Sequence, residues 1–188
     1  DDIMELWLQR QCGVEGAYIV IGCYEWNRLY WDEATLELRL ERMMVDVEGL
    51  GRAELSARLA NVPKSLFEDP ENQGQMALVV AQFVDASLTF KDAGLTKKGL
   101  AHIAEAQNIP ENVFREALVA QATQMTAPIQ NAAFTQMVTE AASKFLDNPG
   151  ELKVTLTPPN PVPLAQILGS MAAPQTLPDL LAVKIVAN

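Results

Sequence analysis

Apolar and charged residues alternate regularly along the first part of the chain. Leu36, Leu38 and Leu40 are separated from one another by charged residues, and from Val45 the apolar residues continue on odd-numbered positions. A period of two is typical of a β-strand that buries one face. Because a shift of one residue exchanges the two faces of a strand, the change of parity predicts a β-bulge near Arg42.

Other parts of the first half also have strand-like patterns. Residues 53–59 alternate after the glycine-containing turn EGLGR, and Phe83–Lys91 alternates in the same way. Ala17–Tyr24 is rich in β-branched and aromatic residues, which favour strands. We therefore predict a β-meander over residues 17–91, with a bend at EWNR. Apolar side chains at positions 3, 4, 6, 7 and 8 predict an N-terminal helix within residues 1–16.

The period changes to that of a helix between residues 92 and 150. Apolar residues follow the i, i+3, i+4 spacing in three successive segments, which begin near Leu95, Pro110 and Asn131. Pro110 suits the first turn of a helix, where its missing N–H has no partner to lose. Pro149 and Gly150 end the last segment. The pattern predicts a block of three helices.

The chain returns to a strand pattern over residues 151–188. Residues 152–156 alternate, four prolines follow between Pro158 and Pro163, a short helix is predicted in LAQILGSMAA, and a final strand in AVKIVAN. Proline has no N–H for a β-ladder, so the prolines predict the end of a strand and a crossover. A proline-rich ligand in polyproline II conformation is the alternative.

Together these patterns predict one α+β domain spanning residues 1–188. We expect an antiparallel sheet of about five to seven strands, packed on one side by the three-helix block. A chain of 188 residues with 49% hydrophobic residues is long and apolar enough to form its own core.

The net charge of −10 at pH 7 limits the classes of partner. It argues against nucleic acid, because phosphate binding depends on clustered Lys and Arg, and against electrostatic docking on anionic lipid. The longest apolar run, Ala17–Tyr24, is too short to cross a membrane, so we predict no transmembrane segment. The chain opens with Asp1 rather than Met, which is compatible with a processed, exported protein. The oligomeric state stays open.

The sequence contains few residues suited to metal or nucleophilic chemistry. Cys12 and Cys23 can form one disulfide or remain two free thiols, and His102 is the single histidine. We therefore predict no metal site and no cofactor.

Neighbouring carboxylates offer one route to catalysis. The pairs Asp32/Glu33 and Asp46/Glu48 lie near predicted turns and strand ends, and paired carboxylates can carry out acid–base hydrolysis. In a chain with 24 acidic residues such pairs also arise by chance. The favoured interpretation is a solvated face, and a carboxylate-dependent hydrolase is the least favoured function.

Aromatic residues are concentrated near the start of the chain. Aromatic side chains with polar neighbours recur at interfaces and ligand pockets, and methionines at the change of parity can line a soft groove. A buried aromatic cluster and irregular core filling by the methionines are the favoured interpretations of these residues, and a binding surface is the functional one. The candidate residues for binding a partner or ligand are Tyr24, Trp26, Tyr30, Trp31, Met43 and Met44.

Three segments carry a resemblance to known sequences. They are YWDEATLEL…VDVEGLGRAELSARLANVP, DASLTFKDAGLTKKGL and PVPLAQILGSMAAPQTLPDLLAVKIVAN. Together, over roughly Tyr30 to Asn188, they resemble the C-terminal portion of uncharacterised exported proteins of Gram-negative bacteria. The resemblance implies a periplasmic or envelope location and a non-enzymatic role.

These observations lead to a functional expectation. The protein is expected to be a non-catalytic envelope module that binds a partner protein or an apolar, lipid-like ligand. The alternative is a structural subunit of a larger assembly, with the aromatic group as its contact patch.

Overall fold

A computed structural model describes residues 3–11, 23–69, 71, 72, 74 and 79–188 of the protein, with side chains from Leu29 onward. The strands are β1 (Ile3–Gln11), β2 (Cys23–Asp32), β3 (Glu37–Val47), β4 (Gly51–Ala60), β5 (Gln82–Asp92), β6 (Glu151–Leu156), β7 (Val162–Pro163) and β8 (Val183–Ala187). The helices are α1 (Ser65–Glu68), α2 (Leu95–Gln107), α3 (Glu111–Met125), α4 (Ala132–Asp147), α5 (Leu164–Gly169) and α6 (Leu177–Leu180). Single 3-10 turns lie at Ala127–Ile129, Ser170–Ala172 and Pro174–Thr176.

The strands form one antiparallel sheet. Its order is β1–β2–β3–β4–β5–β6–β8, and the two-residue β7 pairs with β5 at Gln82 and Phe83. Helices α2, α3 and α4 lie in the connection between β5 and β6. The predicted α+β class with an antiparallel sheet is confirmed. Among the described residues, seven strands form the main path and β7 is an eighth.

The bulge predicted near Arg42 is present. Leu40 lies opposite Ala57 and Met43 lies opposite Leu55, so Glu41 and Arg42 of β3 face the single residue Ser56 of β4. The extra residue restores the apolar side chains of β3 to one face, as the change of parity in the sequence required.

Two local predictions are wrong. Residues 3–11, expected to be a helix, form strand β1, which pairs with β2 from Ile3 opposite Asp32 to Gln11 opposite Tyr24. The expected bend at residues 25–28 lies inside β2. Both segments take strand geometry because a neighbouring strand supplies their backbone hydrogen bonds, which local preference does not reveal. Most of the strand expected at Ala17–Tyr24, residues 17–22, lies outside the described residues, as does Cys12.

Cross-strand register separates the sheet into two faces, because directly opposed residues share a face. On the apolar face, Met43, Leu55 and Leu88 lie in one row across β3, β4 and β5. On the polar face, Arg39 lies opposite Arg58 and Arg58 opposite Asp85.

Buried side chains on the apolar face form two separate clusters. The first contains Trp31, Val62 and Ala81, with partly buried neighbours that include Phe67 of α1 and Leu164 of α5. The second contains Ala141, Phe145 and Ala187, with Phe90, Leu152 and Ile185 beside them. The core is thus divided between two regions of the same face.

The helical block reaches the sheet mainly through α4. Phe145 of α4 is buried against Phe90 of β5, with ring centroids 5.9 Å apart and an interplanar angle of 62°. Helix α3 packs on α4 through threonines, with Thr123 Oγ1 and Thr139 Oγ1 2.7 Å apart. Core packing against the sheet is seen for α4, and the prediction that the whole three-helix block packs there stays a prediction.

Candidate functional site

The candidate site is a half-covered strip on the apolar face of strands β3, β4 and β5. Each of its side chains keeps part of its surface exposed, and Met43 (37%) and Leu88 (44%) are the most exposed. We call this set the central strip, and its members are Leu40, Met43, Leu55, Ala57, Ala86 and Leu88.

Both ends of the central strip are closed by core clusters. At one end, Leu38 and Leu59 pack in the cluster around Trp31. At the other end, Phe90 lies in the cluster around Phe145. Within the part of the chain that the structure describes, the strip is therefore a partly exposed apolar region between two covered regions.

Small side chains lie at the middle of the strip. Ala57 and Ala86 lie directly opposite each other in β4 and β5. The larger side chains of Leu40, Leu55 and Leu88 lie beside them. The side chains at the middle of the strip are therefore its smallest ones.

The Trp31 end is fixed by a hydrogen bond and a ring contact. Trp31 is 4% exposed, and its indole Nε1 donates a 2.9 Å hydrogen bond to the backbone oxygen of Val62. The Trp31 and Phe67 ring centroids lie 5.3 Å apart. These contacts place Trp31 in the core, so it is a structural residue at the end of the strip.

The sequence-predicted site residues with described side chains are divided between the two faces of the sheet. Met43 lies in the central strip, whereas Met44 is 8% exposed and points to the opposite face. Tyr30 is half-buried on the polar face, opposite Arg39. The backbone of β2 places Tyr24 opposite Asp46 and Trp26 opposite Met44, and their side chains lie outside the described part of the chain.

Sequence reasoning missed Leu88, Ala57 and Ala86 as site residues. Their alternation with polar residues was recognised and correctly assigned to strands. The available signal was the small size of the two alanines. Which part of an apolar face the helices leave open depends on tertiary packing and carries no local pattern.

Ion pairs cover the polar face of the sheet. Arg42 Nη2 lies 2.7 Å from Glu54 Oε1, Arg52 Nε lies 2.9 Å from Asp46 Oδ2, and Arg58 is paired with Asp85. The hydrogen bond to Asp85 raises the pKa of Arg58, and the hydrogen bond to Glu37 raises the pKa of Arg39. Exposed pairs of this kind add little stability.

The carboxylate pairs considered for catalysis have local partners. Asp46 is paired with Arg52, and Glu33 Oε1 lies 3.3 Å from Lys64 Nζ, which raises the pKa of Lys64. Asp32 accepts hydrogen bonds from Thr35 and from the backbone N–H of Ala34, which lower its pKa. These contacts fit the solvated-face interpretation of both pairs.

A concavity lies between α3 and α4. It measures about 230 Å³ and is lined by Asn112, Arg115, Glu116, Val119, Ser143 and Asp147. The guanidinium of Arg115 forms two ion pairs within the chain, with Glu111 Oε1 at 3.3 Å and with Asp147 Oδ1 at 3.2 Å. It is smaller than common small-molecule sites.

The described residues were compared with the requirements of a metal site and of a membrane-spanning helix. Among them, no group of three His, Cys, Asp or Glu side chains is placed to hold a metal ion. Among the same residues, no helix combines the length and apolarity needed to cross a bilayer.

Most of the chain matches the model of a protein family. Residues 44–188 match the model of a family described as "Uncharacterized protein". No curated protein and no solved structure matches the chain.

Proposed function

The chain belongs to this family of uncharacterised proteins, and from that premise we propose that it is a non-catalytic module that binds an apolar, lipid-like ligand on the central strip. The observation that carries the proposal is the exposure of Met43 and Leu88 between two covered regions of the same face. The sequence resemblance supports a periplasmic or envelope location.

Covering the strip is energetically favourable. Full burial of a Leu or Met side chain contributes about 1.5–3 kcal/mol, so a ligand that covers the exposed part of Met43 and Leu88 gains about 1 kcal/mol from each. Ala57 and Ala86 let the ligand approach the sheet closely. Several such contacts together give reversible binding.

The surroundings of the strip favour hydrocarbon over a polar ligand. The strip lies on three paired strands, so the ladders use the backbone N–H and C=O groups beneath it. With strands about 4.8 Å apart, three strands present a surface about 10 Å wide. That width suits one or two hydrocarbon chains.

A partner protein on the same strip is the competing form of the proposal. The structural-subunit hypothesis relied on the aromatic group as a contact patch, and the burial of Trp31 removes one of its members from the surface. The open strip favours the ligand form.

The test is binding of a fluorescent long-chain fatty acid to the protein and to Leu88→Asp. A carboxylate at position 88 places a charge in the strip, and we expect the affinity to fall at least about tenfold, because burying an unpaired charge is strongly unfavourable. Native mass spectrometry of gently purified protein should show a co-purifying mass of lipid size.

Val186→Asp is the matched control. Val186 is 50% exposed and lies on the polar face of β8, so the same substitution there adds a charge outside the strip. It should leave the affinity unchanged. Equal losses in the two variants, or no binding by the unmodified protein, contradict the proposal.

A further inference from the structure

A long uncharged stretch of the chain lies near the central strip. Residues 154–178, between Lys153 and Asp179, include no Asp, Glu, Lys or Arg. With 20% of the chain charged, about five charged residues would be expected in a stretch of 25. The stretch contains β7, α5, two 3-10 turns and the start of α6.

The inner side of this stretch is anchored in the core. Leu164 packs in the cluster around Trp31, and its backbone N–H donates a 2.9 Å hydrogen bond to Ala81 O. β7 pairs with β5 at Gln82 and Phe83. Since Ala86 of the central strip follows a few residues later in β5, the stretch is attached beside one end of the strip.

The outer side of the stretch is apolar and exposed. Leu168 is 53% exposed and Met171 is 68% exposed. They are three residues apart, with the exposed alanines 165 and 172 on either side. We call this group the apolar tip, and its members are Ala165, Leu168, Met171 and Ala172.

The hydroxyl groups beside the tip are satisfied within the chain. Ser170 Oγ donates to Gln166 O at 2.8 Å, and Thr176 Oγ1 donates to Ala173 O at 2.9 Å. A polar group that already has a partner costs less to transfer from water into an apolar environment. Six of the eleven prolines lie in residues 154–178 and restrict the backbone before binding.

We propose that the apolar tip inserts into the interfacial region of a phospholipid bilayer and holds the end of the central strip at the membrane surface. The proposal rests on the proposed function, because a lipid-like ligand would then enter from the bilayer. The partner is the uncharged interface of zwitterionic lipid.

The distribution of charge in the protein favours a zwitterionic bilayer over other partners of the tip. The whole chain has a net charge of −10, which opposes attraction to anionic lipid, whereas the tip itself carries no charge. Insertion into the interface depends on apolar area and is hindered by charged side chains. The tip also lacks the Tyr, Trp and Arg side chains that dominate protein–protein contacts.

The experiment is flotation of the 188-residue protein with vesicles of pure phosphatidylcholine. We expect a measurable bound fraction that changes less than twofold when the salt concentration is raised about tenfold, because the contact is apolar. The double variant Leu168→Asp/Met171→Asp should lower the partition coefficient at least about tenfold. The double variant Met125→Asp/Val186→Asp, which charges other exposed apolar side chains, should bind as the unmodified protein does.

A crossed design separates this proposal from the proposed function. Leu168→Asp/Met171→Asp should keep its affinity for the soluble fatty-acid probe, and Leu88→Asp should still float with vesicles. Loss of probe binding alone in Leu88→Asp supports the ligand site, and loss of flotation alone in Leu168→Asp/Met171→Asp supports the tip. An unmodified protein that floats but does not bind the probe contradicts the proposed function alone, and one that binds the probe but does not float contradicts the tip proposal alone.

Three outcomes overturn the tip proposal. In the first, the unmodified protein does not float with phosphatidylcholine vesicles. In the second, both double variants lose vesicle binding equally. In the third, the tip variant instead abolishes self-association measured by analytical ultracentrifugation, so that the occupant of the tip is a second copy of the chain.

Discussion

The indole Nε1 of Trp31 donates a 2.9 Å hydrogen bond to the backbone oxygen of Val62, and both residues are almost fully buried, at 4% and 1% exposed. The contact links β2 to the segment that follows β4. Ala81, which precedes β5, completes the same cluster. This cluster closes one end of the central strip and holds Leu164 at the base of the apolar tip.

We predict that Trp31→Phe lowers the free energy of unfolding by about 2–4 kcal/mol, because the smaller ring leaves a gap and the buried oxygen of Val62 loses its donor. Urea unfolding followed by far-UV circular dichroism measures the change. This signal does not depend on tryptophan fluorescence.

The matched control for Trp31→Phe is Val186→Ala. Val186 is 50% exposed in β8, so its truncation should change the free energy of unfolding by less than about 0.5 kcal/mol. A loss below about 1 kcal/mol in Trp31→Phe would show that the hydrogen bond contributes little to the fold.

Alanine substitutions of the adjacent Met43 and Met44 should have different effects, one on ligand binding and the other on the free energy of unfolding. Met44 is 8% exposed, so Met44→Ala should lower the free energy of unfolding by about 2–4 kcal/mol. Met43 is 37% exposed and lies in the central strip, so Met43→Ala should cost about 1 kcal/mol or less. Met43→Ala should instead weaken binding of the fatty-acid probe severalfold, because a contact with the ligand is lost.

Urea unfolding and probe titration of the two variants test this contrast. Met44→Ala, measured under conditions where it is folded, should bind the probe as the unmodified protein does. If Met44→Ala weakens probe binding and Met43→Ala does not, the strip is not the binding surface.

Much of the sheet could be predicted because period-two patterns report directly on strands with one solvated face. The alternation of residues 53–59 and Phe83–Lys91 located β4 and β5. The change of parity located the bulge near Arg42. The helix expected at residues 3–11 was wrong because the apolar pattern there suits both structures, and pairing with β2 decides between them.

The candidate site could be predicted only in part. Met43 was selected because it follows the change of parity, and it lies in the strip. Leu88 belongs to the alternation that predicts β5, but its 44% exposure depends on tertiary packing and has no local pattern. For Trp31 the sequence left both a buried cluster and a binding surface open, because its hydrogen-bond partner Val62 lies 31 residues away in sequence and has no local signature.

Two glycines should respond to alanine in opposite directions. Gly51 has φ of +154°, and a Cβ there would lie 2.7 Å from the backbone oxygen of Lys91. Strand β5 would have to shift, so Gly51→Ala should lower the free energy of unfolding by about 2–3 kcal/mol. Gly99 lies within α2 with no atom within 4 Å of the added Cβ. Gly99→Ala should raise the free energy of unfolding by up to about 1 kcal/mol.

Thermal unfolding of the two glycine variants provides the comparison. The melting temperature should fall for Gly51→Ala and rise slightly for Gly99→Ala. A neutral Gly51→Ala would mean that β4 and β5 can separate at Lys91 without loss, which contradicts the close approach between them.

Asp32 should make stability depend on pH at the acid end. Hydrogen bonds from the Thr35 side chain and the Ala34 N–H lower its pKa below the ordinary value of 3.8. A depressed pKa means that folding favours the carboxylate, so this contribution is complete above the unfolded-state pKa and is lost as the pH falls through the folded-state pKa. Asp32→Ala should therefore be less stable than the unmodified protein at about pH 7, and the difference should shrink by about pH 3. Urea midpoints at the two pH values measure the difference, and a carbon-13 NMR titration of the Asp32 carboxyl measures the pKa itself.

Thr35→Ala is the companion variant, since losing the largest hydrogen-bond contribution should return the pKa of Asp32 towards 3.8. A difference between Asp32→Ala and the unmodified protein that is equal at both pH values would show that Asp32 acts through packing or turn geometry, independently of its charge.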